Sequence, residues 1–159
     1  MDSEQIREIY LRHADEMYRT ARIYLRNPAD AEDAVSEVFC RYLKKRPVFN
    51  DADHEKAWFL RVTINYCKDE LRSAWKRRVD MRELPDVAVP EGDRQREQIL
   101  EAVYALPEDQ RILVLLYYYE GYRLREIADI TGTSESTLQS RLFRARAQLK
   151  MRMEDEQDA

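Results

Sequence analysis

Apolar residues recur along this chain at steps of three and four, and proline or glycine interrupts them at intervals. Ile6, Ile9, Tyr10, His13, Met17, Tyr18, Ala21 and Tyr24 form one stripe. The 3.6-residue helical period puts those positions on one face. After Asn27-Pro28, a second stripe runs through Ala31, Ala34, Val35, Val38, Phe39 and Tyr42. Asn27 has the short polar side chain of an N-cap, and Pro28 suits the first helical position, where no intrahelical N–H bond is lost. A polar loop, Arg46 to Asp53, precedes a third predicted helix reaching about Arg78, with Leu60, Ile64, Cys67, Leu71 and Trp75 inward. Beside that stripe lies a polar, mostly basic edge of Arg61, Asn65, Lys68 and Arg72.

The period fails over residues 79–92, VDMRELPDVAVPEG, where two prolines, a glycine and four acids against one arginine predict an extended linker. Helical spacing then resumes. Asp93 is the expected cap of a helix carrying Ile99, Leu100, Val103, Tyr104 and Leu106. Pro107 opens the next helix, with Ile112, Leu113, Leu115, Leu116 and Tyr119, and Gly121 is placed to end it. Tyr117, Tyr118 and Tyr119 cover all faces of that helix, so some belong to the core and others to an interface. A short helix around Leu124 to Ile130 stops at Thr131-Gly132, and Ser134 is a suitable N-cap for a last helix. Ala128 is small where those two helices would cross, and Leu138 and Leu142 face inward. This is the spacing of a helix-turn-helix, whose second helix would show Glu135, Ser136, Gln139, Ser140, Phe143 and Arg144 to the major groove. The pattern predicts an all-α chain with two small helical domains, 1–78 and 93–159, joined by a linker over 79–92.

Composition narrows the chemistry. Three glycines are too few for the many tight turns of a sheet protein. Two histidines, Cys40 and Cys67 make neither a catalytic set nor a zinc site, and no HExxH, GxSxG or Walker loop occurs. No enzyme, cofactor or metal is therefore expected, and both cysteines are expected to be buried thiols on apolar faces. No apolar run approaches the ~20 residues of a membrane span, and the acidic start lacks signal-peptide features, so a cytoplasmic location without membrane insertion is expected.

The formal charge of −4 conceals two basic zones. Residues 1–37 hold nine acids against five bases, whereas 56–78 hold seven bases against two acids and 134–152 five against one. Two basic zones on an acidic background point to two polyanion contacts, with weak DNA binding by the whole chain alone.

With these segments in place, the chain resembles bacterial RNA polymerase sigma factors of the extracytoplasmic-function group. NPADAEDAVSEVF at 27–39 and AWFLRVTINYCKDELR at 57–72 look like region 2. LPEDQRILVLLYYYEGY at 106–122 and the helix-turn-helix ending in SRLFRAR look like region 4. The resemblance implies a transcription initiation factor with core RNA polymerase, promoter DNA and an anti-sigma factor as partners, and a linker in the RNA exit path. It assigns Asp30, Glu32, Asp33, Ser36, Glu37 and Phe39 to the polymerase clamp. It assigns Phe49 and Asn65 to a flipped base of the −10 element, with Arg61, Lys68 and Arg72 facing phosphates. Phe49 has a second reading, as a loop aromatic closing the core. Ser136, Thr137, Gln139, Ser140, Arg141, Phe143 and Arg144 match the face that meets the −35 element. Ser36, where the family often has glutamine, Gln139 in place of a base, Ser136 in place of glycine and Arg123 in place of a serine cap depart from the pattern.

Two other readings fit the residues alone. One is a dimeric helix-turn-helix regulator acting without polymerase. The other is a helical enzyme holding a metal through Asp30, Glu32, Asp33 and Glu37, a cluster without histidine support.

Overall fold

The structure is a computed structural model. It describes the backbone of residues 2–77 and 94–158, and the side chains within them other than 74–77, 94–97, 100 and 155–158. The predicted linker, the Asp93 cap and the placements of Trp75 and Leu100 lie outside the described residues. Every described element is helical. The chain divides into two compact units, residues 1–87 and 88–159.

The first unit packs α1 (Ser3–Tyr24), α2 (Pro28–Lys45) and α3 (Ala52–Arg77) against one another in all three pairings. Local sequence starts each helix. Asp2 and Gln5 close a capping box, with the Gln5 N–H 2.9 Å from Asp2 Oδ1 and the Asp2 N–H 3.1 Å from Gln5 Oε1. Asn27 Oδ1 accepts the Ala29 N–H at 2.8 Å. Asp51 caps α3 through the His54 N–H at 2.7 Å. The core gathers Met17, Val35, Val38, Tyr42 and Phe59, with Phe39, Phe49 and Trp58 packed partly buried against it.

The inward face of α3 is shifted from the expected one. Phe59 and Thr63 are buried beside Leu60, Ile64 and Cys67, while Leu71 is only half-buried. Thr63 can be buried because its hydroxyl donates to the Phe59 carbonyl at 2.6 Å. The expectation for Cys40 is corrected: it is exposed, and Cys67 alone is buried. Cys40 lies two residues from Val38, about 200° around the helix and opposite the core stripe. Burial, aided by the Glu70 charge, pushes the Cys67 thiol up to about 12, so it stays protonated.

Polar groups tie α1 to α3. Glu55 Oε1 lies 2.7 Å from Arg12 Nη1 and 2.6 Å from His13 Nε2, and Lys56 Nζ lies 3.5 Å from Glu16. Partly exposed ion pairs contribute about 0–1 kcal/mol each, against about 1.5–3 kcal/mol for burying one large apolar side chain. The rings therefore hold the bundle, and the ion pairs set its register. His13 differs from the ion pairs because it is 5% exposed and stacks on Phe59 at 4.3 Å between ring centroids.

In the second unit, α7 (Glu135–Asp158) packs against α4 (Arg94–Tyr104), α5 (Glu108–Val114) and α6 (Leu124–Thr131). A π-helical turn, Leu115–Tyr119, continues α5, and Gly121 follows at φ 78°. Leu106, Leu113, Leu116, Ile127, Ile130, Leu138 and Leu142 are buried. The fully buried small residues are Ala102 and Ala145, whereas Ala128 is half-buried and Ile99 is exposed.

Burial lowers the pKa of His13 below its ordinary 6.5, outweighing the opposing pull of Glu55. Burial acts to raise the Glu55 pKa, but the His13 and Arg12 hydrogen bonds outweigh it and hold the carboxyl below 4.5. As pH falls past about 6.5, the unfolded chain takes up a proton at His13 that the native chain resists. Stability falls through that window, by at most about 1.4 kcal/mol per pH unit, until the native ring protonates. The Glu55 contribution, present above 4.5, is lost at lower pH as the native carboxyl protonates. Both tryptophans lie in the first unit, so their emission follows its unfolding in urea. His13→Gln should flatten the dependence between pH 7 and 5; an unchanged slope would reject the assignment to His13.

Candidate polymerase and nucleic-acid interfaces

The residues expected to meet the polymerase lie on α2. Its apolar stripe faces α1 and α3, which leaves Asp30, Glu32, Asp33, Ser36 and Glu37 exposed. Asp30 stands in the first turn, where a negative charge also complements the helix dipole. Glu37 pairs with Arg41 one turn on, at 3.5 Å. Phe39 is half-buried, edge-on to Tyr10 at 5.2 Å and stacked near Tyr42 at 5.9 Å. Glu32, Val35 and Ser36 line an open cleft with Tyr10, Ala14, Asp15 and Tyr18 of α1. The face thus joins carboxylates to an aromatic floor, a chemistry suited to a basic helix with apolar contacts. Among the described residues, no group of three or more acids, histidines or cysteines converges to hold a metal ion.

On α3, Arg61, Asn65 and Arg72 are exposed and Lys68 is half-buried, so the polar edge expected from their spacing lies outside the core. Phe49 is half-buried, and its ring lies 6.3 Å from Tyr42, 6.0 Å from Trp58 and 6.5 Å from Phe59. The second reading of Phe49 therefore holds at least for one side of the ring: it closes the aromatic core. Asn65 lies seven residues beyond Trp58 on the same helix face, about 10 Å along the axis. The structure gives no contact between Phe49 and Asn65. Any shared ligand would have to span from one to the other.

Spacing alone missed His54. Its Nδ1 accepts the Asn50 N–H at 3.0 Å, and its ring meets Phe49 edge-on at 5.3 Å. The signal was available: Asp51 and His54 have the spacing of a capping box, with histidine in place of glutamate or glutamine.

In the second unit, the helix-turn-helix forms at the expected residues. α6 ends at Gly132, whose φ of 73° takes the left-handed conformation that turns the chain into α7. Arg123 has no acceptor to offer, so α6 keeps half a capping box, the Glu126 carboxylate taking the Arg123 N–H at 3.0 Å. Ser134 caps α7, accepting the Thr137 N–H at 3.3 Å and donating to Thr137 Oγ1 at 2.8 Å. Ser134 takes the Thr137 amide, and Ser136 lies beside it in the first turn, the positive end of the α7 dipole and a place suited to a phosphate. Leu138, Leu142 and Ala145 are buried, while Gln139, Ser140, Phe143 and Arg144 are exposed. Phe143 is 75% exposed, an unusual position for a phenyl ring. Arg141 stands apart from this face: it is half-buried and lies 3.8 Å from Asp109 of α5. Arg146, not among the expected contacts, hydrogen-bonds Tyr118 and lies over the Tyr117 and Tyr118 rings at 6.0 and 5.4 Å.

A helical bundle with a basic helix edge, followed by a helix-turn-helix with an open outer face, defines a nucleic-acid-binding protein. Two family descriptions match it in order, Sigma-70 region 2 over residues 9–77 and Sigma-70 region 4 over residues 96–149. The RNA polymerase sigma factor SigV of Bacillus subtilis (strain 168) is 30% identical over 146 residues, 91% of this chain and 88% of that protein. The ECF RNA polymerase sigma factor SigM of Mycobacterium tuberculosis is 30% identical over 147 residues, 89% of this chain and 74% of that protein. The sigma factor RpoE, solved in complex with the anti-sigma factor NepR from Bartonella quintana, shares the fold. Its TM-score is 0.78 and its identity 21%, with 95% of each chain covered. The chain belongs to the RNA polymerase sigma factors of the extracytoplasmic-function type, and it is a transcription initiation factor that directs polymerase to promoters. Among the described residues, no helix is long and apolar enough to cross a membrane.

Added at Gly132, a Cβ would meet nothing within 4 Å, so a substitution there is opposed by backbone conformation alone. Gly132→Ala should cost about 1 kcal/mol and Gly132→Asn less, because asparagine tolerates the left-handed region. Urea unfolding followed by circular dichroism measures both; equal costs would reject a purely conformational role.

Proposed function

We propose that the exposed acids of α2 dock on the clamp of core RNA polymerase, that the basic edge of α3 engages the −10 element, and that α7 engages the −35 element. The observation that carries this reading is the division of α7 into a buried apolar face and an outer face of Ser136, Gln139, Ser140, Phe143 and Arg144. A helix so divided, capped by Ser134 at the end that would enter the groove, has the form of a recognition helix. Gln139 suits adenine, which it can bind through two hydrogen bonds, and the Phe143 ring suits a thymine methyl. Arg144 reaches phosphate or guanine. Arg141, held toward Asp109, serves a phosphate at the flank.

On α3, Asn65 supplies the hydrogen-bonding edge for an extruded base and the Phe49 side supplies the apolar wall, while Arg61, Lys68 and Arg72 meet phosphates. Melting needs no chemistry beyond this, since binding extruded bases favours the opened strand. The initiation role calls for no reaction centre in this chain. By likeness to the relative solved with NepR, an anti-sigma factor holds this chain inactive, in the cytoplasm, until it is released.

Asn65→Ala should slow promoter opening on the order of tenfold while leaving affinity for core polymerase unchanged. Permanganate reactivity of the −10 thymines together with a polymerase competition assay would check it, and equal opening would sink the base-binding role. Arg144→Ala should weaken −35 binding by about 1–3 kcal/mol. An unchanged footprint would reject α7 as the reader. Retention of promoter fragments by the protein without polymerase would instead favour a stand-alone regulator.

A further inference from the structure

The loop between α2 and α3 is short and exposed, yet it is fastened at both ends. At its start, Arg46 takes the left-handed conformation at φ 43° and its N–H donates to the Tyr42 carbonyl at 2.8 Å. At its end, His54 makes three attachments. Its backbone N–H reaches Asp51 Oδ1 at 2.7 Å, its Nδ1 takes the Asn50 N–H at 3.0 Å, and its ring edge abuts Phe49 at 5.3 Å. In an ordinary capping box the third helical side chain returns to the N-cap amide. Here it reaches one residue further back and fixes the residue next to Phe49.

We propose that His54 is a positioning residue for −10 recognition: it latches the loop so that the Phe49 ring is set at a fixed angle before DNA arrives. This rests on the reading of Phe49 and Asn65 as the base pocket. Core packing restrains one side of Phe49, through Tyr42, Trp58 and Phe59. It does not restrain the backbone of Asn50, which is exposed and has the imidazole as its acceptor. Without the latch, the backbone that carries Phe49 samples several paths, and the ring tilts within its nest instead of holding one angle. The ordering cost then falls on DNA binding, and the pocket tolerates wrong bases more readily. The accepting form is the neutral ring with its proton on Nε2, because a proton on Nδ1 would face the Asn50 N–H.

The test uses holoenzyme assembled from core polymerase and the full chain, on a promoter library randomised across the −10 element. Opened fragments are sequenced to give a base preference at each position. His54→Ala should reduce the preference on the order of tenfold at the positions that Asn65→Ala also affects, with core binding unchanged. His54→Asn places an acceptor where Nδ1 sits and should restore the preference. His54→Gln places its acceptor where Nε2 sits and should not. A merely structural histidine would leave the preference intact, or lose it equally in the asparagine and glutamine variants; either result overturns the proposal. Should His54→Ala fail to fold, the asparagine and glutamine pair decides alone. A full preference in Asn65→Ala would bring down the pocket itself and the latch with it. Altered preference in Asn65→Ala beside a wild-type preference in His54→Ala would bring down the latch only.

Discussion

Phe59 is the ring on which the first unit turns. It is 1% exposed and meets His13 of α1, Tyr42 of α2, Trp58 of its own helix, and Phe49 of the loop. Three helices held by narrow apolar stripes need some group wide enough to touch all of them, and a phenyl ring buries more area there than any aliphatic side chain. The consequence reaches the surface. With Phe59 inward, the helical period carries Arg61, Asn65, Lys68 and Arg72 away from the core as one edge. The same ring brings the Phe49 loop against the start of that helix. The arrangement that stabilises the bundle thus also sets which side chains can meet a ligand.

The second unit solves the same problem with one long helix. α7 is the common partner of α4, α5 and α6, so on the proposed assignment its first turns serve both packing and recognition. Leu138, Leu142 and Ala145 take the inward third of the circumference, and the rest is left open. Arg141 and Arg146 lie between those regions and are tied back, to Asp109 and Tyr118 respectively. The ties sit on opposite flanks of α7, where they fix its rotation about its own axis. Rotation matters because one residue of slip turns the outer face by about 100°.

Most of the architecture was legible because helices carry strong periodic signals and glycine and proline marked their ends. Asn27, Ser134, Gly121 and Gly132 each act as their chemistry predicts. What escaped depended on rotation or on contacts between distant segments. Phe59 and Leu60 both read as apolar, and spacing alone did not say that Phe59 and Thr63 would also turn inward. Cys40 was placed by its residue type when its angle on α2 put it outside. Phe49 in isolation had two readings, and only the converging rings of Tyr42, Trp58 and Phe59 show how far the core claims it. His54 was dismissed for want of catalytic partners, since a histidine accepting a backbone amide has no side-chain signature beyond its spacing from Asp51.

Charge placement completes the picture. The acids of α2 and the bases of α3 belong to one three-helix bundle, and packed helix axes lie about 8–10 Å apart. That is close to the ~8 Å Debye length at physiological salt, so the acidic face still weakens the attraction of DNA to the basic edge. On the proposed assignment, a basic polymerase surface covering those acids removes the opposing charge. On that assignment the attraction of DNA to the basic edge then strengthens without any movement of α3. On that same assignment, a net charge of −4 and two basic zones, which look opposed in the composition, fit together: the acids oppose DNA until a partner covers them. Such coupling needs no conformational switch. It follows from Coulomb interaction across a single small bundle, and on the proposed assignment it places polymerase before promoter because of where the carboxylates sit.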